Sequence, residues 1–487
     1  MPKPLPGHPI EHRRTLNVFV LAMLSLAVVI SLRNLPLSAE YGLASIYFYV
    51  TAALFFMIPY ALVSAELASG WPKAGGVYIW IREALGDRWG FFAIWMQWFH
   101  NMTWYPAMLA FIAAGIAQLI DPELAQNKTY LVMVILAGMW GVTFLNFLGI
   151  KTSAFITTFC VIIGAILPGA ILIGLGIYWV TSGMPSSITF NKFGYFPHLL
   201  QPSNLVFMGG IFLALSGLEA NANLAREVKH PQKNYPRAIF IAAFLVVTIL
   251  IFGSLSIAVV IPREKINLVS GLLDAFRTFF AIHNLRWFVP IIAILTVVGA
   301  VGELNAWAIA GVKGLYVTIE HGCLPPVFHK INRHYTPINL LIFQAIVVSI
   351  AAFIFLYLPD ISISYWVLSA LSAQMYLLMY ILLFISAVVL RYRKPNVHRI
   401  YKIPFKNVGI WVISVIGLLS CLFALSVSLI PPIVAFKIEN IVSYETLLST
   451  GLIICIAIPL IIYALRKPHW KIDVLEEIRE EIHRSTH

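Results

Sequence analysis

Three charged residues stand deep inside long apolar runs of this sequence: Arg33, Glu219 and Glu303. A charge held at mid-bilayer depth costs roughly 3–17 kcal/mol, so each needs a partner or a task. A carboxylate in such a place can carry a proton, hold an amine, or neutralise an arginine. Arg33 lies in VVISLRNLPLSAEYG (28–42), where Asn34 and Pro36 interrupt an apolar run that starts at Leu16. Proline cannot extend the helix behind it. Glu219 follows a second interruption, Ser216-Gly217, in NLVFMGGIFLALSGLEANANLAREV (204–228). Glu303 has Trp307 one helical turn away on the same face, and Tyr376 and Tyr380 share a face in the same manner. With Trp98 these aromatic residues are candidates to gate a site. Glu66, near the end of its run, is read as a rim residue that caps or pairs, and Glu40 as a solvated residue at the opposite rim.

The elements that must position these groups are long apolar helices. The chain has 487 residues, 60% hydrophobic and 11% charged, with a mean hydropathy of +0.86. Soluble domains carry about 25% charged residues, and the runs are too long and continuous for a membrane β-barrel. Twelve spans are predicted, at 15–40, 43–68, 89–118, 129–149, 153–180, 203–224, 238–261, 287–311, 337–357, 363–390, 408–430 and 443–465. The stretch 69–88 is predicted as an interfacial helix on the inner face, and 263–286 as a short helix at the outer surface.

The net charge of +12 follows this topology. Alternate segments hold only Lys128, Lys192, Arg263, Lys265, Arg277, Arg286 and Lys437, while Arg33 lies in the first span and every other Lys or Arg falls on the opposite side. That bias predicts both termini in the cytoplasm and contact with anionic lipid. It leaves nothing for a nucleic-acid role to explain. Four scattered cysteines, Cys160, Cys323, Cys421 and Cys455, show no metal or disulfide spacing, and no cofactor is expected. HExxH and GxSxG are absent, which argues against a membrane enzyme.

The first and sixth spans both break, and each opens a group of five. Interrupted helices at matching places in two halves point to an inverted-repeat transporter with a site near mid-membrane. Unwound backbone there can take a substrate's carboxylate and amine. The organisation is therefore a cytoplasmic segment 1–14, a first five-helix repeat 15–180, a second 203–390, two further spans in 408–465, and a cytoplasmic tail 466–487. The tail is read either as a solvated cap helix or as a segment that gates the pore.

ALSGLEANANLAREVKHPQKNYPRAI (214–239) resembles the sixth span and following loop of the amino acid–polyamine–organocation superfamily. GWPKAGGVYIWIREALGDRWGF (70–91) and LSIAVVIPREKINLVSG (255–271) resemble its glutamate/GABA antiporter family. The resemblance implies an all-α polytopic membrane protein with the leucine-transporter-type 5+5 inverted repeat and two additional C-terminal spans. It also implies exchange of amino acids by alternating access in a cell inner membrane, and site roles for Glu219, Glu303, Trp307, Tyr376 and Tyr380. Arg33 and Asn34 depart from the family, whose glutamate/GABA members carry an aromatic and an acidic residue there. The expected substrate-binding set is Arg33, Asn34, Ser216, Gly217, Glu219, Glu303, Trp307, Tyr376, Tyr380 and Trp98, with an amino acid as substrate and protons as a candidate coupling ion. A proton-coupled importer and a transport-inactive amino-acid sensor are the alternatives. Either Glu219 or Glu303 pairs with Arg33, or a substrate carboxylate does.

Overall fold

The first apolar run folds as two helices, because its backbone ladder fails at Val28–Ser31. In the computed structural model, which describes residues 16–188, 201–225, 228–266, 271–282, 284–334, 336–357, 361–430 and 441–471, α1 (Val18–Ala27) gives way to irregular backbone, a single 3-10 turn at Leu32–Asn34, and α2 (Leu35–Ala39). Pro36 sits in the first turn of α2, where its missing N–H goes unneeded. The predicted cytoplasmic segment 1–14 and residues 472–487 of the predicted tail lie outside the described residues.

The chain continues through α3 (Ala44–Ala52) and α4 (Ile58–Gly70), α5 (Gly76–Leu85), α6 (Asp87–Ile120), α7 (Lys128–Phe147), and α8 (Ile150–Val161) with α9 (Leu167–Thr181). The second group is α10 (Pro202–Ala214), α11 (Pro231–Val260), α12 (Gly271–Ile282), α13 (Val289–Glu320), α14 (Ile338–Ala352) with the short α15 (Ile354–Tyr357), and α16 (Ile361–Arg393). Then come α17 (Lys406–Val427) and α18 (Ile441–Ala464).

Among the described residues, eleven helical stretches are long and apolar enough to cross a membrane. The sequence count of twelve included 203–224. Over that range the structure has α10, unwound residues 215–219 and a 3-10 turn at Ala220–Leu224, none of which is long enough alone.

Two helices widen for one reason. The joins α3–α4 and α8–α9 are π-type turns at Ala53–Met57 and Ile162–Ile166, each followed by a proline, Pro59 or Pro168. A proline ring cannot approach the carbonyl four residues back, so the ladder opens. The freed carbonyl of Phe55 accepts a bond from Ser420 Oγ on α17 (2.7 Å). The Gly164 turn instead presses on α13: a methyl group added at Gly164 would stand 2.1 Å from the Gly299 nitrogen. Small residues let these two backbones touch.

The core lies where α6 packs on α13 and α16, and where α1 packs on α8 and α11. Two expectations change here. The helix expected at the inner interface, α5, is instead inserted: Val77, Tyr78, Ile79, Trp80 and Ile81 are buried against α6, α16 and the turn Ala220–Leu224. Its apolar stripe matches a protein surface, not a lipid one. The helix expected at the outer surface, α12, likewise buries Leu272, Phe276, Phe279 and Phe280.

A branched residue at the Gly164–Gly299 contact should separate α8–α9 from α13. Gly299→Val is expected to destabilise the fold by at least the roughly 1–3 kcal/mol of ordinary overpacking, because backbone cannot yield. Thermal unfolding in detergent measures it, and an unchanged midpoint contradicts the close crossing.

Candidate functional site

The two breaks face one another, and a tryptophan joins them. Trp307 Nε1 donates to the Val28 carbonyl (2.9 Å) in the first break. Its ring also lies against the second: a methyl group at Gly217 would come 2.9 Å from the Trp307 ring and 3.4 Å from the Val28 oxygen. Gly217 has φ +117°, a conformation L-residues avoid, so glycine answers both a steric and a conformational demand.

Other side chains satisfy the rest of the second break. Tyr60 Oη donates to the Leu215 carbonyl (2.5 Å), Tyr235 Oη to the Glu219 carbonyl (2.8 Å), and the Gly217 N–H donates to Tyr380 Oη (2.8 Å). In a water-poor interior such groups must be paired within the protein.

Glu219 is fully buried at the centre of this network. Tyr376 donates to its Oε1, Tyr380 to its Oε2 (2.7 Å), and Gln97 Nε2 to its Oε1 (3.2 Å). Asn223 Nδ2 in turn donates to Gln97 Oε1 (3.1 Å). The carboxylate thus ties α6, α16 and the second break together.

A cavity of about 690 Å³ opens beside the breaks. Of the expected site residues it is lined by Arg33, Asn34, Ser216, Glu303 and Trp307. Glu219, Gly217, Tyr376 and Tyr380 lie behind that lining, joined to it by the bonds above. The structure does not bring Trp98 to this group. Trp98 is buried elsewhere, donating to Gln344 on α14 (3.0 Å) and packing on Trp95 and Phe343.

Arg33 and Glu303 both line the cavity.

His100 and Trp104 on α6 also line the cavity and were missed by sequence reasoning. The His100 ring lies between Trp307 and Tyr376, with centroids at 4.9 and 4.3 Å, and its Nδ1 is 2.9 Å from Ser372 Oγ. Its Nε2 has no partner among the described residues. The signal was present: Gln97, His100, Asn101 and Trp104 follow the i, i+3, i+4, i+7 pattern of one helix face. Trp98 is one residue out of phase, about 100° around the helix.

The cavity reaches Gln118, Gln126 and Ile266 at one end of the helix bundle. The opposite end is sealed. Glu66, as expected of a rim residue, pairs there with Arg391, accepts from the Ile403 N–H (2.8 Å), and lies 3.6 Å from Arg399. Arg399 packs over Trp71 at 5.0 Å. Arg393 donates to the Ala84 carbonyl (3.0 Å), and Lys394 pairs with Glu83. Arg82 bridges Asp87 (2.5 Å) and His321 Nε2 (2.8 Å). Burial, with the Arg82 charge, lowers the His321 pKa. Its Nδ1 faces the Val317 carbonyl (3.0 Å) and so donates there, leaving Nε2 to accept from Arg82.

No cluster of His, Cys, Asp and Glu suited to a metal occurs among the described residues. What the geometry offers is a closed-ended, largely apolar cavity between two broken helices, with Arg33 and Glu303 among its lining residues.

Apolar helices around such a cavity define an integral multi-pass membrane transporter. The chain belongs to the amino acid permease family, whose model matches residues 16–458. It is 41% identical to an uncharacterized transporter of Legionella pneumophila, over 92% of this chain and 96% of that one. It is 31% identical to a glutamate/gamma-aminobutyrate antiporter of Lactococcus lactis, over 96% and 94% of the two chains. A Lactococcus lactis protein named "Probable agmatine/putrescine antiporter" is 26% identical over 75% of this chain and 77% of its own. These names describe transporters of amino acids and amines, not enzymes.

The Glu219 network yields a direct expectation. Tyr380→Phe removes one acceptor from the Gly217 N–H and one donor from Glu219. Leaving buried polar groups unpaired costs about 1–3 kcal/mol. Detergent thermal unfolding should record that loss, and transport per folded molecule should fall as the second break loosens. Wild-type values in both assays contradict a positioning role for Tyr380.

Proposed function

We propose that this chain is an amino-acid antiporter working by alternating access. The observation that carries the reading is the pair of broken helices held face to face by Trp307, with a cavity reaching one end only. A cavity open at one end and sealed at the other by polar clasps is what one half of an alternating cycle requires. The relative named as a glutamate/gamma-aminobutyrate antiporter covers almost the whole chain and supports exchange over import. The cavity volume falls within the 300–1,000 Å³ usual for small-molecule sites.

In this reading, unwound backbone at Val28–Ser31 and Leu215–Gly217 receives the α-carboxylate and α-amine. Arg33, Asn34, Ser216, Glu303 and Trp307 contact the substrate. Gly217, Glu219, Tyr376 and Tyr380 hold the break in shape, and Trp98 acts only through helix packing. The protein resides in a cell inner membrane with both termini cytoplasmic, by the lysine and arginine bias. The cavity then opens outward. Protons enter as coupling ions only in the importer reading, and a sensor would bind without flux.

Proteoliposomes decide among these. Amino acid loaded inside should stimulate uptake of labelled amino acid without any imposed proton gradient. Uptake that needs an inward proton gradient and ignores internal amino acid supports the importer. Binding without flux supports the sensor. Orientation is checked separately with single cysteines at two exposed loop positions. Arg286→Cys should react with an impermeant thiol reagent on intact cells and His398→Cys should not. The reverse pattern overturns the topology.

A further inference from the structure

His100 stands in the cavity wall with one ring nitrogen bonded and the other not. The residue is only 3% exposed. Its ring lies against Trp307 and Tyr376, with centroids at 4.9 and 4.3 Å, and both neighbours spend their own polar atoms elsewhere. Trp307 Nε1 donates to the Val28 carbonyl and Tyr376 Oη to Glu219. His100 Nδ1 lies 2.9 Å from Ser372 Oγ, and Nε2 has no partner among the described residues. A buried polar atom left unpaired is costly, so one held beside a ligand cavity points to a use there.

The bond to Ser372 fixes what Nε2 can offer. Ser372 is fully buried on α16. Other helix serines donate to the carbonyl four residues back, as Ser254 (2.6 Å) and Ser349 (2.7 Å) do. Ser372 makes no such bond among the described residues, where its partner is His100. Its hydroxyl hydrogen therefore goes to Nδ1. The reverse arrangement, with Nδ1–H donating, strands the hydroxyl hydrogen as well as Nε2. With Nδ1 accepting, the ring proton sits on Nε2, which is then a donor in need of an acceptor.

We infer that His100 reads the substrate's side chain, donating from Nε2 to an oxygen atom on it. The assignment rests on the exchanger reading above and gives the substrate class: amino acids whose side chains carry an oxygen acceptor. Trp307 touches both breaks and also His100, so the imidazole lies one ring away from the backbone that takes the α-groups. A hydrocarbon side chain gives the donor nothing, and an ammonium side chain brings only further donors. Sites built to hydrogen-bond a substrate group discriminate strongly against analogues that lack it.

The test is competition between side chains matched in length. Wild-type protein is reconstituted, loaded with mixed amino acids, and assayed for uptake of labelled glutamine against two unlabelled pairs, asparagine with leucine and glutamine with norleucine. In at least one pair the amide should compete at least about tenfold better, a factor corresponding to about 1.4 kcal/mol. Exchange with equal competition inside both pairs overturns this inference and leaves the exchanger reading standing. If no amino acid exchanges with any other, the exchanger reading fails. Thermal shifts of the detergent-purified protein with the same four compounds then decide the role of His100 by the same comparison.

Variants separate a substrate contact from a packing role. His100→Gln can set an amide N–H where Nε2 stands and should keep the preference. His100→Asn reaches only Ser372 and should abolish it. A preference that survives in His100→Asn overturns the assignment. If both variants lose it, Ser372→Ala decides: Nε2 is retained there, so the preference should persist, and its loss shows that the ring serves Ser372 instead of the substrate.

Discussion

Backbone polar groups inside a membrane protein have no water to fall back on, and this constraint governs the centre of the molecule. Two helices are broken at depth, which frees carbonyl and amide groups in each. Trp307, Tyr60, Tyr235 and Tyr380 supply the missing partners. These partners, three donors and the acceptor Tyr380, come from α13, α4, α11 and α16, so neither break keeps its shape unless the surrounding helices are in place. The breaks are in this sense made by the tertiary structure, though their positions are marked by Pro36 and Gly217. A mobile version of the same arrangement is easy to picture in physical terms. Side-chain hydrogen bonds across a break can be exchanged one at a time, whereas a continuous helix moves only as a rod.

The buried charges divide into two kinds according to what they face. Glu66, Arg391 and Arg399 are almost fully enclosed and bond to one another and to the chain around Ile403. Such a cluster is costly to assemble, and removing one member strands the others. Its effect is to pin α4 to the end of α16 at the sealed end. Arg33 and Glu303 instead line the cavity. Glu219 belongs with the first kind despite its position beside a break. Three donors converge on its two oxygens, and it stands behind the cavity wall.

The helix α5 shows how the sealed end is built. Its sequence has the apolar stripe of a membrane-surface helix, yet that stripe meets α6, α16 and the turn Ala220–Leu224. Gly76 allows the contact: a methyl group there would come 2.7 Å from Ala222. The seal therefore rests on the second half of the second broken helix. Movement of that half would disturb α5, the Arg82 bridges and the clasp at Glu83 and Ala84 together.

Much of this was legible in the sequence. Span positions follow from apolar length, because a bilayer sets one length for every helix that crosses it. The breaks follow from Pro36 and Ser216-Gly217, and the pairing of Glu303 with Trp307 or Tyr376 with Tyr380 on one face follows from helical period. These are local properties, written within a few residues. His100 was locally legible too and was overlooked because an aromatic neighbour drew notice one position out of phase. What the sequence did not determine was that Glu219 is withdrawn behind the cavity, that α5 faces protein instead of lipid, and that Trp307 bridges both breaks. Each joins residues from separate helices, Val28 with Trp307 or Gln97 with Glu219, and is decided by how helices rotate and cross. Helical period states which residues share a face, but only packing states what that face meets.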